Sequence, residues 1–129
     1  DLTVIFCIGE TLKQKRKNTT NKILSKQIET GLKKIKNLQK IIVAYEPVWS
    51  IGTGIIPRNK ELIKTLSFIR NKLNKSFKNK SFLRIIYGGS VNSKNIGALS
   101  AIPDISGFLI GGASTSAKKF IDIMKNCYM

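Results

Sequence analysis

Four short apolar runs, each followed by a glycine-bearing or polar stretch, constrain this 129-residue chain more than any other feature. Leu2-Thr3-Val4-Ile5-Phe6-Cys7-Ile8 is continuous, rich in β-branched residues and closed by Gly9, as expected of a strand buried on both faces. Ile41-Ile42-Val43-Ala44-Tyr45 repeats the pattern, Phe82-Leu83-Arg84-Ile85-Ile86-Tyr87 gives a third strand, and residues 105–110 give a fourth. Between them run helical periods. Leu24, Ile28, Leu32 and Ile35 recur at helical spacing among lysines, and Leu62, Leu66, Ile69 and Leu73 do the same after Pro57 or Asn59, either of which can begin a helix. A short helix is expected around residues 95–100, with Asn92 or Ser93 as its cap. A closing helix, capped by Ser114 or Ser116, turns Ala117, Phe120, Ile121 and Met124 inward. Strands alternating with helices, with no hairpin signal, pair in parallel through right-handed crossovers. The fold class is α/β, with four parallel βα units.

The unusual residues fall at one place in every unit. Gly9-Glu10, residues 46–54, Gly88-Gly89-Ser90 and Gly111-Gly112-Ala113-Ser114 each follow directly after a strand. Functional groups gather at the carboxyl ends of parallel strands, so these four segments are expected to share a rim. The two glycine pairs suit an anion, because backbone N–H groups and the positive end of a helix dipole meet at strand-to-helix junctions; each pair alone also reads as a tight turn. Glu46 is the acidic residue ending a buried strand, with Pro47 fixing the backbone behind it. Desolvation of such a carboxylate suits it to take a proton from carbon, the alternative being a rim salt bridge to a lysine. Val48-Trp49-Ser50-Ile51-Gly52-Thr53-Gly54 combines an apolar face with flexible glycines, as a lid does; otherwise Trp49 simply fills core space.

Composition narrows the function. Lys plus Arg total 23 against 7 acidic residues, for a formal charge of +16, which raises nucleic-acid binding as a hypothesis. The lysines are spread over several segments with few aromatics between them, which favours solvated helix faces and attraction of a small anion. No apolar run approaches the roughly 20 residues needed to span a bilayer. Cys7 and Cys127 have neither metal-ligand spacing nor the density of a secreted scaffold, which fits a reducing, cytoplasmic setting. The chain has no histidine, so no Ser-His or Cys-His dyad and no histidine metal site lies within it. The amino end, Asp1-Leu2-Thr3-Val4, carries neither an initiator Met nor a secretion signal and reads as cut from something longer.

Cys7-Ile8-Gly9-Glu10-Thr11-Leu12, Ala44-Tyr45-Glu46-Pro47-Val48-Trp49-Ser50-Ile51-Gly52-Thr53-Gly54, Tyr87-Gly88-Gly89-Ser90-Val91-Asn92 and Gly111-Gly112-Ala113-Ser114 together resemble the triosephosphate isomerase family. The resemblance implies half of a TIM (β/α)8 barrel: the fifth to eighth units, with residues 1–129 as the C-terminal half of one domain. It implies Glu46 as the base that moves a proton between the carbons of dihydroxyacetone phosphate and glyceraldehyde 3-phosphate. Gly52, Ser90, Gly111 and Gly112 would give backbone N–H groups to the phosphate. Glu10, Trp49, Thr53, Gly54 and Tyr87 would form or support the lid, Glu10 reaching toward Trp49 and Tyr87 toward the lid's far hinge. Neither metal nor cofactor is implied, and the whole enzyme would be a cytoplasmic homodimer.

Two departures stand out: Ile55 replaces a usual Lys, and Pro57 has no N–H to offer Tyr87 at the position that usually supplies that bond. The family's electrophilic His and its substrate-binding Asn and Lys come from strands preceding Asp1, so the isolated chain is expected to be nearly inactive. The rival readings are another sugar-phosphate-binding TIM-barrel enzyme, a basic nucleic-acid-binding module, and a non-catalytic remnant.

Overall fold

Residues 41–45 carry the most continuous β-branched run, and they take the centre of the sheet because that position buries both faces. The computed structural model describes residues 2–77 and 83–127; Phe82, the expected start of the third strand, lies outside them. Strand β1 (Val4–Ile8), β2 (Ile41–Tyr45) and β3 (Arg84–Tyr87) form a parallel sheet in the order β1-β2-β3. The register pairs Ile8 with Tyr45 and Tyr45 with Tyr87, so the three strands finish level and their following loops emerge side by side.

Two helices cover the sheet. Helix α2 (Thr20–Gly31) buries Leu24 and Ile28, and α3 (Asn59–Ser76) buries Leu62, Leu66, Ile69 and Leu73 completely. Each such side chain stabilises the fold by about 1.5–3 kcal/mol relative to exposure. Leu32 caps α2 and is buried, whereas Ile35 lies beyond the helix and is exposed. A Cβ on Gly31 would come within 2.4 Å of the Phe6 ring, so glycine lets α2 press onto β1. The connection after β1, expected to be merely polar, contains helix α1 (Leu12–Arg16). It is fixed by a capping box: Gln14 N–H donates to Thr11 Oγ1 at 3.3 Å, and Thr11 N–H donates to Gln14 Oε1 at 2.8 Å.

Three expectations are corrected. β1 is not buried on both faces: Val4 and Ile5 are 51% and 44% exposed, because β1 is the sheet's edge and pairs only with β2. Residues 105–110 do not form a full strand. They join β3 through one parallel bridge, Tyr87 to Phe108, held by Ser106 N–H to Ile85 O (2.7 Å), Tyr87 N–H to Gly107 O (3.1 Å) and Leu109 N–H to Tyr87 O (2.9 Å). Finally, helix α5 (Ala117–Cys127) buries Ile123, while Ala117, Phe120, Ile121 and Met124 are exposed. Phe120 and Met124 do face Ile105, Phe108 and Ile110, but across an open groove. α5 packs chiefly on helix α4 (Ile96–Ser100) and on a 3-10 turn at Gly112–Thr115. The N-cap of α4 is Asn95, not Asn92 or Ser93; Asn92 closes the turn before it, its Oδ1 accepting the N–H groups of Lys94 (2.9 Å) and Asn95 (3.1 Å). The result is an α/β arc of βα units whose sheet is not closed, as in part of a TIM barrel.

Candidate functional site

Level strand ends put the carboxylate at position 46 against the backbones of both neighbouring strands. Glu46 N–H donates to Ile8 O at 2.8 Å, and Gly88 N–H donates to Tyr45 O at 2.9 Å, so β2's exit is clamped between β1 and β3. Space for the residue is made by two glycines. A Cβ on Gly9 would lie 1.8 Å from Glu46 O, and one on Gly88 would lie 2.6 Å from Glu46 Cγ and 2.7 Å from Oε1. Glu46 is half-buried, and among the described residues no lysine forms an ion pair with it. Partial desolvation of the Cys7 thiol, with the negative charge of Glu46 adding, pushes it up to about 11. At neutral pH Cys7 therefore stays protonated.

Beyond Pro47 the chain turns back through residues 48–56, anchored at its near end by a buried acid. Glu10, 1% exposed, accepts from Trp49 Nε1 at 2.9 Å and from Tyr45 Oη at 3.2 Å. Burial first, and the Glu10 charge second, raise the Tyr45 phenol, so it remains a donor. Burial likewise raises Tyr87. The Lys15 ammonium lies 4.6 Å over the Trp49 ring and 3.2 Å from Glu61, which also pairs with Arg58 at 2.9 Å. Gly52 and Gly54 have φ of 70° and 77°, a left-handed backbone that favours glycine, and they let the segment fold over the strand ends. Thr53 Oγ1 donates to Ser50 O at 3.1 Å and accepts from Ile55 N–H at 3.2 Å.

The far side of the loop is stitched to the turn after β3. Gly54 N–H donates to Ser90 Oγ at 2.9 Å, and Ser90 Oγ donates to Ser50 O at 2.6 Å. Tyr87 was expected to reach the far hinge; its hydroxyl instead meets Ser50 Oγ at 3.2 Å, and Pro57 has no N–H with which to compete. Gly89 makes that contact possible, since a Cβ there would lie 2.0 Å from Tyr87 Oη.

A cavity of about 280 Å³ opens between these parts, lined by Glu46, Gly52, Gly54 and Ser90 on one side and by Gly111 and Gly112 on the other. The five residues marked for base and phosphate work thus share one mouth. Gly111 precedes the 3-10 turn, and a Cβ on either Gly111 or Gly112 would meet nothing within 4 Å, so both face open space.

Two residues at the site escaped the sequence. Ser50 is completely buried and holds Ser90 N–H at 3.1 Å; a serine inside an otherwise apolar loop stretch was the available signal. Gln27 braces β1's end, accepting from Gly9 N–H at 2.9 Å and donating to Gly9 O at 3.0 Å. Its signal was a polar side chain three residues after Leu24, on α2's buried face.

Known proteins share this arrangement in sequence. The family described as triosephosphate isomerase matches residues 1–127. The triosephosphate isomerase of Thermodesulfovibrio yellowstonii is 43% identical over 125 residues, covering 96% of this chain and 51% of that protein. That of Syntrophotalea carbinolica is 43% identical over 128 residues, and that of the yeast Debaryomyces hansenii 42% over 127, covering 96% and 97% of this chain and 51% of each relative. The chain therefore spans about half the length of the curated relatives it matches. With three of the four rim segments lining one mouth and a match running through nearly every residue, the chain belongs to the triosephosphate isomerase family.

Proposed function

We propose that residues 1–129 form the C-terminal half of a TIM-barrel domain that interconverts dihydroxyacetone phosphate and D-glyceraldehyde 3-phosphate, a step of glycolysis and gluconeogenesis. The observation that carries this is the single cavity onto which Glu46, Gly52, Ser90, Gly111 and Gly112 all open. Glu46 removes a proton from the carbon next to the carbonyl and returns it to the neighbouring carbon through an enediolate. The backbone N–H groups of Gly52, Gly111 and Gly112 hold the phosphate, joined by that of Ser90, which Ser50 Oγ engages here and hands over on binding. The lid over residues 49–54, hinged on the Glu10–Trp49 bond, excludes water from the enediolate.

The chain contains no histidine, so the group that polarises the carbonyl comes from outside these 129 residues, along with part of the substrate's binding surface. Neither metal nor cofactor enters the mechanism. The whole enzyme is proposed as a cytoplasmic homodimer; no described helix is long and apolar enough to cross a membrane. The test is isomerase activity of the complete enzyme carrying these residues, with and without Glu46→Gln. The substitution is expected to lower kcat by about 10³-fold with little change in phosphate-ligand affinity, in line with loss of a general base. Retention of kcat within a factor of ten would remove Glu46 from the role. The isolated chain is expected to show negligible turnover.

A further inference from the structure

The geometry points to Ser50 as a positioning residue that latches the lid: its single hydroxyl ties the lid's near end to its far end and to both residues of the β3 exit that meet it. A serine hydroxyl has one proton to give and two lone pairs to share. All three are used. Ile55 O, which can only accept, lies 2.5 Å from Ser50 Oγ, so the proton goes there. Ser90 N–H, which can only donate, lies at 3.1 Å and takes one lone pair. The Tyr87 hydroxyl at 3.2 Å must then donate to the other. The hydroxyl is completely buried, so no solvent replaces a partner that is lost.

Two further features fit a latch. Gly89 is needed to admit it, because a Cβ there would lie 2.6 Å from Ser50 Oγ and 2.0 Å from Tyr87 Oη. Pro57, buried just beyond the lid, has no N–H and leaves the Tyr87 hydroxyl to Ser50. Ser90 reinforces the same closure from the other side, accepting from Gly54 N–H and donating to Ser50 O. The lid thus stays folded over the cavity through contacts made within the chain itself, before any phosphate adds its own.

The inference deepens the proposed function and rests on it for the meaning of lid, but its test does not need catalysis. Amide hydrogen exchange is followed in the complete enzyme carrying these residues, at Gly54 and Ser90, with Leu66 in the α3 core as the internal control. Ser50→Ala is expected to speed exchange at Gly54 and Ser90 about tenfold, the weight of roughly one lost hydrogen bond, and to leave Leu66 unchanged. Tyr87→Phe, which leaves Ser50 itself intact, is expected to give about a threefold effect at the same two amides. Combining the two changes should give little beyond Ser50→Ala alone, because both remove the same contact. Ser50→Thr, which restores the hydroxyl, should recover most of the protection. Exchange at Gly54 and Ser90 within twofold of the parent in both Ser50→Ala and Tyr87→Phe would overturn the latch. So would acceleration that extends equally to Leu66. Titration of the same samples with inorganic phosphate separates the two ideas: absence of binding counts against the proposed function while the exchange pattern still decides the latch.

Discussion

The two walls of the cavity are built to different standards. On one wall, Glu46 is clamped between β1 and β3, Trp49 is anchored on a buried acid, and α3 behind them buries four side chains completely. On the other wall, Gly111 and Gly112 sit on a 3-10 turn that follows a single bridge, backed by α5 with only Ile123 buried. The Glu46 wall is tightly fastened and the Gly111–Gly112 wall lightly. Ligand binding would therefore order the second wall more than the first, and the ordering would be drawn from the phosphate's binding energy.

The largest expected contrast is in core truncation. Leu66→Ala should destabilise the chain by about 3 kcal/mol in urea unfolding, whereas Phe120→Ala on α5 should cost less than about 1 kcal/mol. Equal costs would mean that α5 is packed as firmly as α3. A sharper contrast uses the glycines. Gly88→Ala places a Cβ 2.6 Å from Glu46 Cγ and should cost about 1–3 kcal/mol, while Gly112→Ala meets nothing and should stay within about 0.5 kcal/mol; thermal unfolding of both decides it. The smallest effect concerns the hinge brace. Hydrogen bonding to Arg58 first, with Lys15 adding, holds the Glu61 carboxyl below its ordinary 4.5. A lowered value means stabilisation that is complete above 4.5 and is lost as pH falls through the depressed value. Because the Glu61 side chain is 37% exposed, the loss should be under about 0.5 kcal/mol. It should appear as a pH-dependent change in Trp49 emission that Glu61→Gln abolishes.

Much of this was legible in the residues, and the failures share a cause. The period of Leu62, Leu66, Ile69 and Leu73 gave α3 and its buried face, and glycine after each apolar run gave the rim, because those signals are local. Burial is not local. Val4 and Ile5 have the composition of a central strand yet lie on an edge; Phe120 and Met124 have helical spacing yet face an open groove, and Ile121 is simply exposed. Periodicity states which residues share a face and is silent on whether anything covers it. Hydrogen-bond partners across the chain were equally out of reach: Ser50 and Tyr87 are 37 positions apart, and only the fold brings their hydroxyls together.

Trp49 is the chain's one tryptophan, and its indole sits at the lid's hinge, hydrogen-bonded to Glu10 and capped by the Lys15 ammonium. An ammonium over the ring and a carboxylate at its N–H make the indole's emission sensitive to any swing of the hinge. Any displacement of residues 48–54 would therefore register in the emission of the one indole of these 129 residues, readable in stopped flow without a label.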